Sequence, residues 1–317
     1  MVLIVGGMGF IGLNTALEML GNGHTVVITQ HTANRTPKAF EPFLNKSLFV
    51  ERMDVTNPFE VFDVVRRTKI DSIISFAAPP ARGISPHKDY QIYTSGTQNL
   101  LEATRGFGLR RLTLASSTSV YGGLKEGPFS ETMPLPIDSK TQIEAFKKSM
   151  EIQSLHYASR ADVDVACVRI GSIYGPFYYS MFNPMSRMIA ATLNGGVPDF
   201  SDRPNGQLLK EDQGDWTYVR DLARGIGLVH NAEILPNRIY NVGSGSAVSN
   251  EQIFDAVRAV LPSAQCPALS SGRSPGNPEN PSMDLSRIKH DLGYSPEHDI
   301  RSGIDAYVTW LRSESID

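Results

Sequence analysis

Three glycines near the start of the chain have the spacing of a phosphate cradle. In VLIVGGMGFIG, Gly6, Gly9 and Gly12 fall between an apolar, β-branched run and the first amphipathic segment. Gly6 permits a tight turn, Gly9 lets a pyrophosphate approach the backbone, and Gly12 lets a helix pack closely on the strand. Phe10 and Ile11 open that helix, whose N-terminal N–H groups and dipole suit an anion. Such a triplet says little alone; the strand before it and the helix after it supply the context it needs. The end of the next strand reports on the nucleotide. An acid there would take the ribose hydroxyls of NAD, but Thr25 to Lys38 contains none, and Gln30, His31, Arg35 and Lys38 stand instead. That set favours a 2′-phosphate, hence NADP(H) slightly over NAD. Arg35 also reads as a solvated loop residue. Asp54, after the third strand, could bond the adenine or cap the helix that begins near Pro58.

A second stretch with chemical potential runs from Ser116 to His156, SSTSVYGGLKEGPFSETMPLPIDSKTQIEAFKKSMEIQSLH. It joins a serine cluster to a helical segment with lysines, and its one tyrosine is Tyr121. A literal Tyr-x-x-x-Lys, Tyr121 to Lys125, encloses Gly122 and Gly123. Paired glycines disfavour the helical turn that would align the two side chains.

The elements that must carry these residues alternate regularly. Short apolar runs at 2–5, 25–29, 48–53, 72–76, 112–115 and 164–169 are separated by helical patterns. Strict alternation means parallel strands joined by right-handed crossovers, and strands this apolar fit a sheet buried on both faces. The fold class is α/β, a doubly wound parallel sheet. After about Ser172 the pattern changes to aromatic and methionine-rich segments and polar loops, with one strand-like return at 238–245 that could rejoin the sheet. Residues 1–171, rejoined by about 213–245, form the nucleotide-binding domain of this reading. Residues 172–212 and 246–317 form a smaller, discontinuous lobe.

The net charge of −3 with basic residues spread along the chain argues against nucleic-acid binding. Two cysteines, Cys167 and Cys266, make neither a metal-ligand spacing nor a disulfide framework, and the scattered histidines suggest no metal site. No apolar run reaches the ~18 residues that span a bilayer, and the chain opens directly on a strand without a basic leader. The expectation is a soluble, cytoplasmic protein with a small-molecule substrate.

With these features in place, nearly the whole chain resembles the extended short-chain dehydrogenase/reductases, the NAD-dependent epimerase/dehydratase family. GGMGFIG resembles the cofactor loop, MDVTN (Asp54, Val55) the adenine-side motif, and SFAAPPA (Ala77, Ala78, Pro79) the strand end along which the nicotinamide half lies. SGTQNLLEATR resembles the next helix, SSTSVYGG the serine motif with Ser116, Ser117, Ser119 and Tyr121, and RIGSIYGP the entry to the substrate lobe with Ile170, Ser172 and Tyr174. DWTYVRDLARGI, with Trp216, and YNVGSG resemble the closing elements. The resemblance implies a Rossmann sheet, a C-terminal substrate lobe, often a homodimer, and a Ser–Tyr–Lys site. In such a site the lysine lowers the tyrosine pKa and holds the nicotinamide ribose, the tyrosinate moves a proton, and the serine orients the substrate oxygen.

Carried onto this chain, the serine is Ser117 and the lysine is Lys147, followed by Glu151 as the family's lysine is followed by a glutamate. The tyrosine slot is then Ile143. Placing the lysine at Lys140 or Lys148 puts Pro136 or Glu144 in the slot, and no register supplies a tyrosine. Tyr121, Glu144, Tyr174 and Tyr178 are the candidates to stand in. Other departures accompany this one: Ser75, Tyr93 and Ser172 replace a histidine and two asparagines, and Gly214 replaces an arginine that clamps a diphosphate in nucleotide-sugar enzymes. Arg82, Arg203, Arg220 and Arg273 could provide an anion site by another route. The run FYYSMF (Phe177 to Phe182) suits an apolar or aromatic substrate, or simply lobe core. The leading expectation is an NAD(P)-dependent oxidoreductase, epimerase or dehydratase with a remodelled site. It acts on a small hydroxyl or carbonyl substrate rather than a standard nucleotide sugar. A non-redox isomerase, lyase or cyclase with structural NAD(P), and a non-catalytic dinucleotide sensor, are the alternatives.

Overall fold

The computed structural model describes residues 1–31, 37–79, 85–180, 182–203, 206 and 208–314. In chain order its elements are β1 (Val2–Val5), α1 (Phe10–Gly21), β2 (Val26–Gln30), β3 (Leu48–Arg52), α2 (Pro58–Thr68), β4 (Ser72–Ser75), α3 (Pro86–Tyr90) and α4 (Gly96–Gly106). There follow β5 (Arg111–Ser117), α5 (Gln142–Ala161), β6 (Val165–Ile170), β7 (Ser172–Tyr174), α6 (Pro184–Leu193), β8 (Gln213–Tyr218) and α7 (Val219–Asn231). The last are β9 (Ile239–Val242), β10 (Ala247–Ser249), α8 (Asn250–Val260), α9 (Ser286–Leu292) and α10 (Ile300–Glu314).

Seven strands form one sheet in the order β3-β2-β1-β4-β5-β6-β9. Neighbours pair in parallel, with Ile4 opposite both Ile28 and Ile74. Every residue of β1, β4 and β6 is buried. These strands, apolar apart from the serines of β4 and Arg169 of β6, are therefore covered on both faces, which is why they read as near-continuous rather than alternating. β9 does rejoin the sheet, beside β6. The strand order reverses between β1 and β4, and in open parallel sheets ligands bind at the carboxyl ends of the strands at such a reversal.

The chain divides into two compact units. The first holds residues 1–120, 138–169 and 223–240. Its core on one face of the sheet is built from residues such as Leu3, Val27, Val61, Val64, Ile73, Leu100, Leu112 and Cys167. The second holds residues 121–137, 170–222 and 241–317. It contains a small mixed sheet, β10-β8-β7, antiparallel on one side and parallel on the other. Its core joins Tyr174, Met185, Met188, Tyr218, Phe254 and Tyr307. No helix among the described residues is long and apolar enough to cross a membrane.

Candidate functional site

The glycine loop has the geometry its sequence requires. Gly6 has φ +71°, in the left-handed region that favours glycine. A Cβ at Gly12 would come within 2.6 Å of the Gly6 carbonyl oxygen, so α1 can meet β1 this closely only with glycine there. The loop is also tied to its neighbour strand, for Gly6 N donates to Thr29 Oγ1 at 3.1 Å. Gly9 caps α1 without a side chain, which leaves the helix entrance, with Phe10 and Ile11 in its first turn, open to an anion.

These residues form one wall of a cleft of about 530 Å³, a size typical of ligand sites. Gly6, Gly9, Gln30, Asp54, Val55, Ala77 and Ala78 all line it, together with Thr29, His31, Phe76, Lys88 and Ile92. Asp54 is half-exposed. Its carboxylate accepts from Thr56 N and Thr56 Oγ1, at 2.9 and 2.8 Å, and lies 3.7 Å from His31 Nε2. It does not cap the following helix. Asn57 does, accepting from Phe59 N at 3.1 Å, with Pro58 at the first helical position. Val55 is fixed by α4: Asn99 Nδ2 donates to its carbonyl at 2.9 Å, and a Cβ at Gly96 would collide with its side chain. Pro79 is half-buried just beyond β4. Arg35 and Arg82 lie outside the described residues. A glycine-lined loop, an uncapped helix entrance and an apolar strand end suit a dinucleotide.

Ser117 and Lys147, the candidates at the end of β5, are not among the residues that line this cleft; α5 packs on that strand. Thr141 caps α5, accepting from Glu144 N at 3.2 Å.

 Lys147, on the second turn, is buried, and its ammonium donates to the Ala115 carbonyl at 2.5 Å. Glu151, one turn on, accepts from Ser116 Oγ at 2.5 Å and from Arg169 at 3.0 and 2.7 Å. Ser116 is thus locked under the strand end, while Ser117 is half-exposed and accepts from Ser119 N at 3.1 Å. The Ser119 hydroxyl is buried and has no hydrogen-bond partner among the described residues. Burial lowers the Lys147 pKa to about 8, against the pull of the Glu151 carboxylate in the other direction. An ammonium so placed begins to lose its proton near pH 8.

Ile143 occupies the turn before Lys147 and is half-exposed. Of the other lysines, Lys140 precedes α5, and Lys148 is closed on Glu144 at 2.8 Å. The span from Tyr121 to Lys125 contains no α-helix, so it does not align that pair.

The remaining sequence candidates belong to the second unit, apart from those already described. The Tyr121 ring is buried and stacks on Phe129 at 4.9 Å, and its hydroxyl donates to Asn241 Oδ1 at 2.7 Å. Ile170 is buried at the end of β6. Tyr174 is buried, with its hydroxyl unpartnered among the described residues and pressed on Gly303, where no side chain would fit. The Tyr178 carbonyl accepts from Tyr307 at 3.2 Å. Ser172 pairs opposite Trp216 between β7 and β8, and Trp216 packs against the second unit's core. At Gly214 a Cβ would come within 3.1 Å of Trp216 Nε1.

Two residues of this region take a part that the sequence did not assign to them. Arg169 is buried as the partner of Glu151; the signal for it was a lone arginine in the apolar run VDVACVRI. Tyr93 is buried beside Lys147, whose ammonium lies 5.4 Å from its ring centre. In the sequence it stands only as a departure from the family asparagine.

UDP-glucose 4-epimerase of Lactobacillus helveticus is 26% identical over 321 residues, which cover 94% of this chain and 92% of that protein. MoeE5 in complex with UDP-glucuronic acid and NAD superposes with a TM-score of 0.79 at 26% identity, covering 99% of each chain. dTDP-glucose 4,6-dehydratase from Bacillus anthracis str. Ames in complex with NAD shares the fold, with a TM-score of 0.83 at 20% identity over 99% of this chain and 97% of that one. Residues 2–243 match the model of the NAD dependent epimerase/dehydratase family, and this chain belongs to that family.

Proposed function

We propose that the protein is an NAD(P)-dependent oxidoreductase, epimerase or dehydratase in which the proton-transfer group beside the lysine has been replaced. The observation that carries this reading is Lys147: a buried ammonium, bonded to the end of β5, on the same sheet that supplies the glycine-loop cleft. The glycine loop and the α1 entrance hold the pyrophosphate, and Asp54 and Val55 border the adenine. Lys147 binds the nicotinamide ribose hydroxyls, and Ser117 orients the substrate oxygen. When bound, the nicotinamide accepts or supplies a hydride. Ile143 can move no proton, so the group that does so lies elsewhere or the reaction needs none. Losing a general acid–base typically lowers rate by ~10²–10⁴.

The end of β2 favours NADP(H), since Gln30 and His31 bring no acid to the ribose. The bound NAD of two structural relatives favours NAD. On the substrate, relatives named for UDP- and dTDP-glucose make a nucleotide sugar the first compound to test. Gly214 argues for a different anchor, because it supplies no guanidinium, and a Cβ there would already press on the Trp216 indole at 3.1 Å.

The test is to denature the purified protein and identify released dinucleotide by mass spectrometry, then titrate emptied protein with NADH and NADPH. Retained nucleotide supports internal redox chemistry or a structural cofactor; reversible NADPH binding supports a reductase. Lys147→Ala should weaken binding and abolish turnover of UDP- or dTDP-glucose if either is a substrate. Protein that binds neither dinucleotide overturns the proposal. A non-redox isomerase or lyase is the second reading, favoured by Ile143, and it predicts product without net change in nicotinamide redox state.

A further inference from the structure

Lys147 is held in surroundings that do little to compensate its charge. Its one hydrogen-bond acceptor among the described residues is the Ala115 carbonyl. The carboxylate one turn away, Glu151, is committed to Arg169 and Ser116. The Cys167 thiol on β6 is fully buried, and burial pushes its pKa up, so it offers no negative charge. The ammonium also lies 5.4 Å from the ring centre of Tyr93. Tyr93 sits in a π-helical turn, Gln91–Ser95, that leads directly into α4. Its ring lies nearly parallel to Phe146 at 4.5 Å and 21°, and Phe146 is braced in turn by the edge of Tyr90 at 4.6 Å. Burial and then the Asp89 carboxylate push the Tyr93 phenol pKa up, so it stays a neutral phenol. What faces the ammonium is therefore an aromatic quadrupole, and an ammonium within about 6 Å of a ring centre is attracted to it, more strongly when desolvated.

We propose that Tyr93 is a positioning residue for Lys147: its ring face, stacked on Phe146, holds the ammonium in place at the end of β5. The inference deepens the proposed function, because it rests on Lys147 as the ribose-binding group. An asparagine at this position would offer a dipole but no ring. The ring does two things here. It fixes the ammonium against Ala115, and it offsets part of the desolvation that would otherwise strip the proton. Its hydroxyl makes no hydrogen bond among the described residues, so it contributes nothing to either task.

The test reads the lysine directly, in full-length protein without dinucleotide. Protein labelled with 13C-lysine is titrated by NMR, and the Lys147 signal is identified by its loss in Lys147→Met. The wild-type midpoint is expected at about 8. Tyr93→Phe should leave it in place. Tyr93→Leu should lower it by roughly 0.5–1.5 pH units, and the pH dependence of NAD(P) binding should move with it. Phe146→Leu, which removes the brace and keeps the ring, should shift it less in the same direction and serves if Tyr93→Leu does not fold. An unmoved midpoint in both leucine variants overturns the proposal. So does a Tyr93→Phe shift as large as that of Tyr93→Leu, which would give the role to the hydroxyl. If wild-type protein binds no dinucleotide, the proposed function fails, yet the titration still decides what Tyr93 does to Lys147.

Discussion

Helix α5 carries two lysine–glutamate combinations at the same spacing, and they end in opposite states. Glu144 and Lys148 close on each other at 2.8 Å, with side chains 6% and 8% exposed. Lys148 also reaches the Asp138 carbonyl and Ser139 Oγ, and Glu144 accepts from Lys140 N, so the pair is finished by the loop that leads into its own helix. Lys147 and Glu151, one helical step along, are not paired with each other. The lysine goes to the end of β5, and the glutamate goes to Arg169 on β6 and Ser116 on β5. Sequence order contributes to this, since glutamate preceding lysine is the better arrangement in a helix. The larger cause is the neighbour. A guanidinium that takes both carboxylate oxygens outcompetes a single ammonium, and the lysine is left to bond the end of β5. A closed pair serves the helix; a divided one serves the strand end.

The largest effect should come from breaking the divided set at Arg169. Its side chain and that of Glu151 are 3% and 4% exposed, so Arg169→Leu leaves a buried carboxylate with only Ser116. Removing one partner of such a pair costs about 3–5 kcal/mol. Urea denaturation should show that loss. The double variant Arg169→Met, Glu151→Leu should recover most of it, since apolar replacement of a whole buried pair is often neutral. A loss in Arg169→Leu below about 1 kcal/mol would mean that the carboxylate finds water or Lys147 instead.

The divided set also marks how far the sequence could be read. The seven strands were legible because double-sided burial leaves a continuous apolar signature, and β9 because YNV follows the same rule. The small sheet was not. QGDWTY is half polar, and β7 and β10 have three residues each, too few to show a period. Asn57 as the α2 cap was legible in principle, for Pro58 at the first helical position places the cap immediately before it. Gly6, Gly9, Asp54 and Ala77 could be gathered because each lies in a local motif. Arg169 and Tyr93 could not, because their meaning depends on α5, and pairing across elements leaves no trace in spacing. The π-helical turn that aims Tyr93 is likewise fixed by packing rather than by composition.

A smaller and opposite effect is expected at Lys147. Its folded pKa of about 8 lies below the ordinary value of 10.5, so the charged form is disfavoured in the native state. Between those values the unfolded chain binds more protons, and wild-type stability should rise with pH across that window. Below it the full penalty applies. Lys147→Met keeps the length of the side chain and removes the charge. It should therefore stabilise empty protein at pH 7 by about 1–2 kcal/mol, after allowing for the Ala115 carbonyl left unbonded, while dinucleotide binding is lost. Its stability should also be flatter from pH 8 to 10.5. A destabilised Lys147→Met would mean that Ala115 and Tyr93 together outweigh the burial, and the contrast with Lys148 would then be one of partners rather than of charge.

The closed pair supplies the smallest effect, with the sign reversed. Lys148→Met should destabilise by about 1 kcal/mol, because Glu144 keeps Lys140 N and the pair is covered by a loop rather than by core. Burial alone would raise the Glu144 pKa. The Lys148 ammonium and the backbone donors outweigh it and hold the carboxyl below its ordinary value of 4.5. A carboxyl with a depressed folded pKa adds stability above its unfolded value and loses it as pH falls through the folded one. Removing Lys148 should take most of that contribution away, so wild type and variant should differ at pH 7 and converge below pH ~4, where the carboxylate is protonated in both states. Denaturation at a series of pH values gives the comparison directly. A difference that persists unchanged into acid would assign the Lys148 effect to packing of its stem on the loop, leaving charge pairing to explain only the divided set.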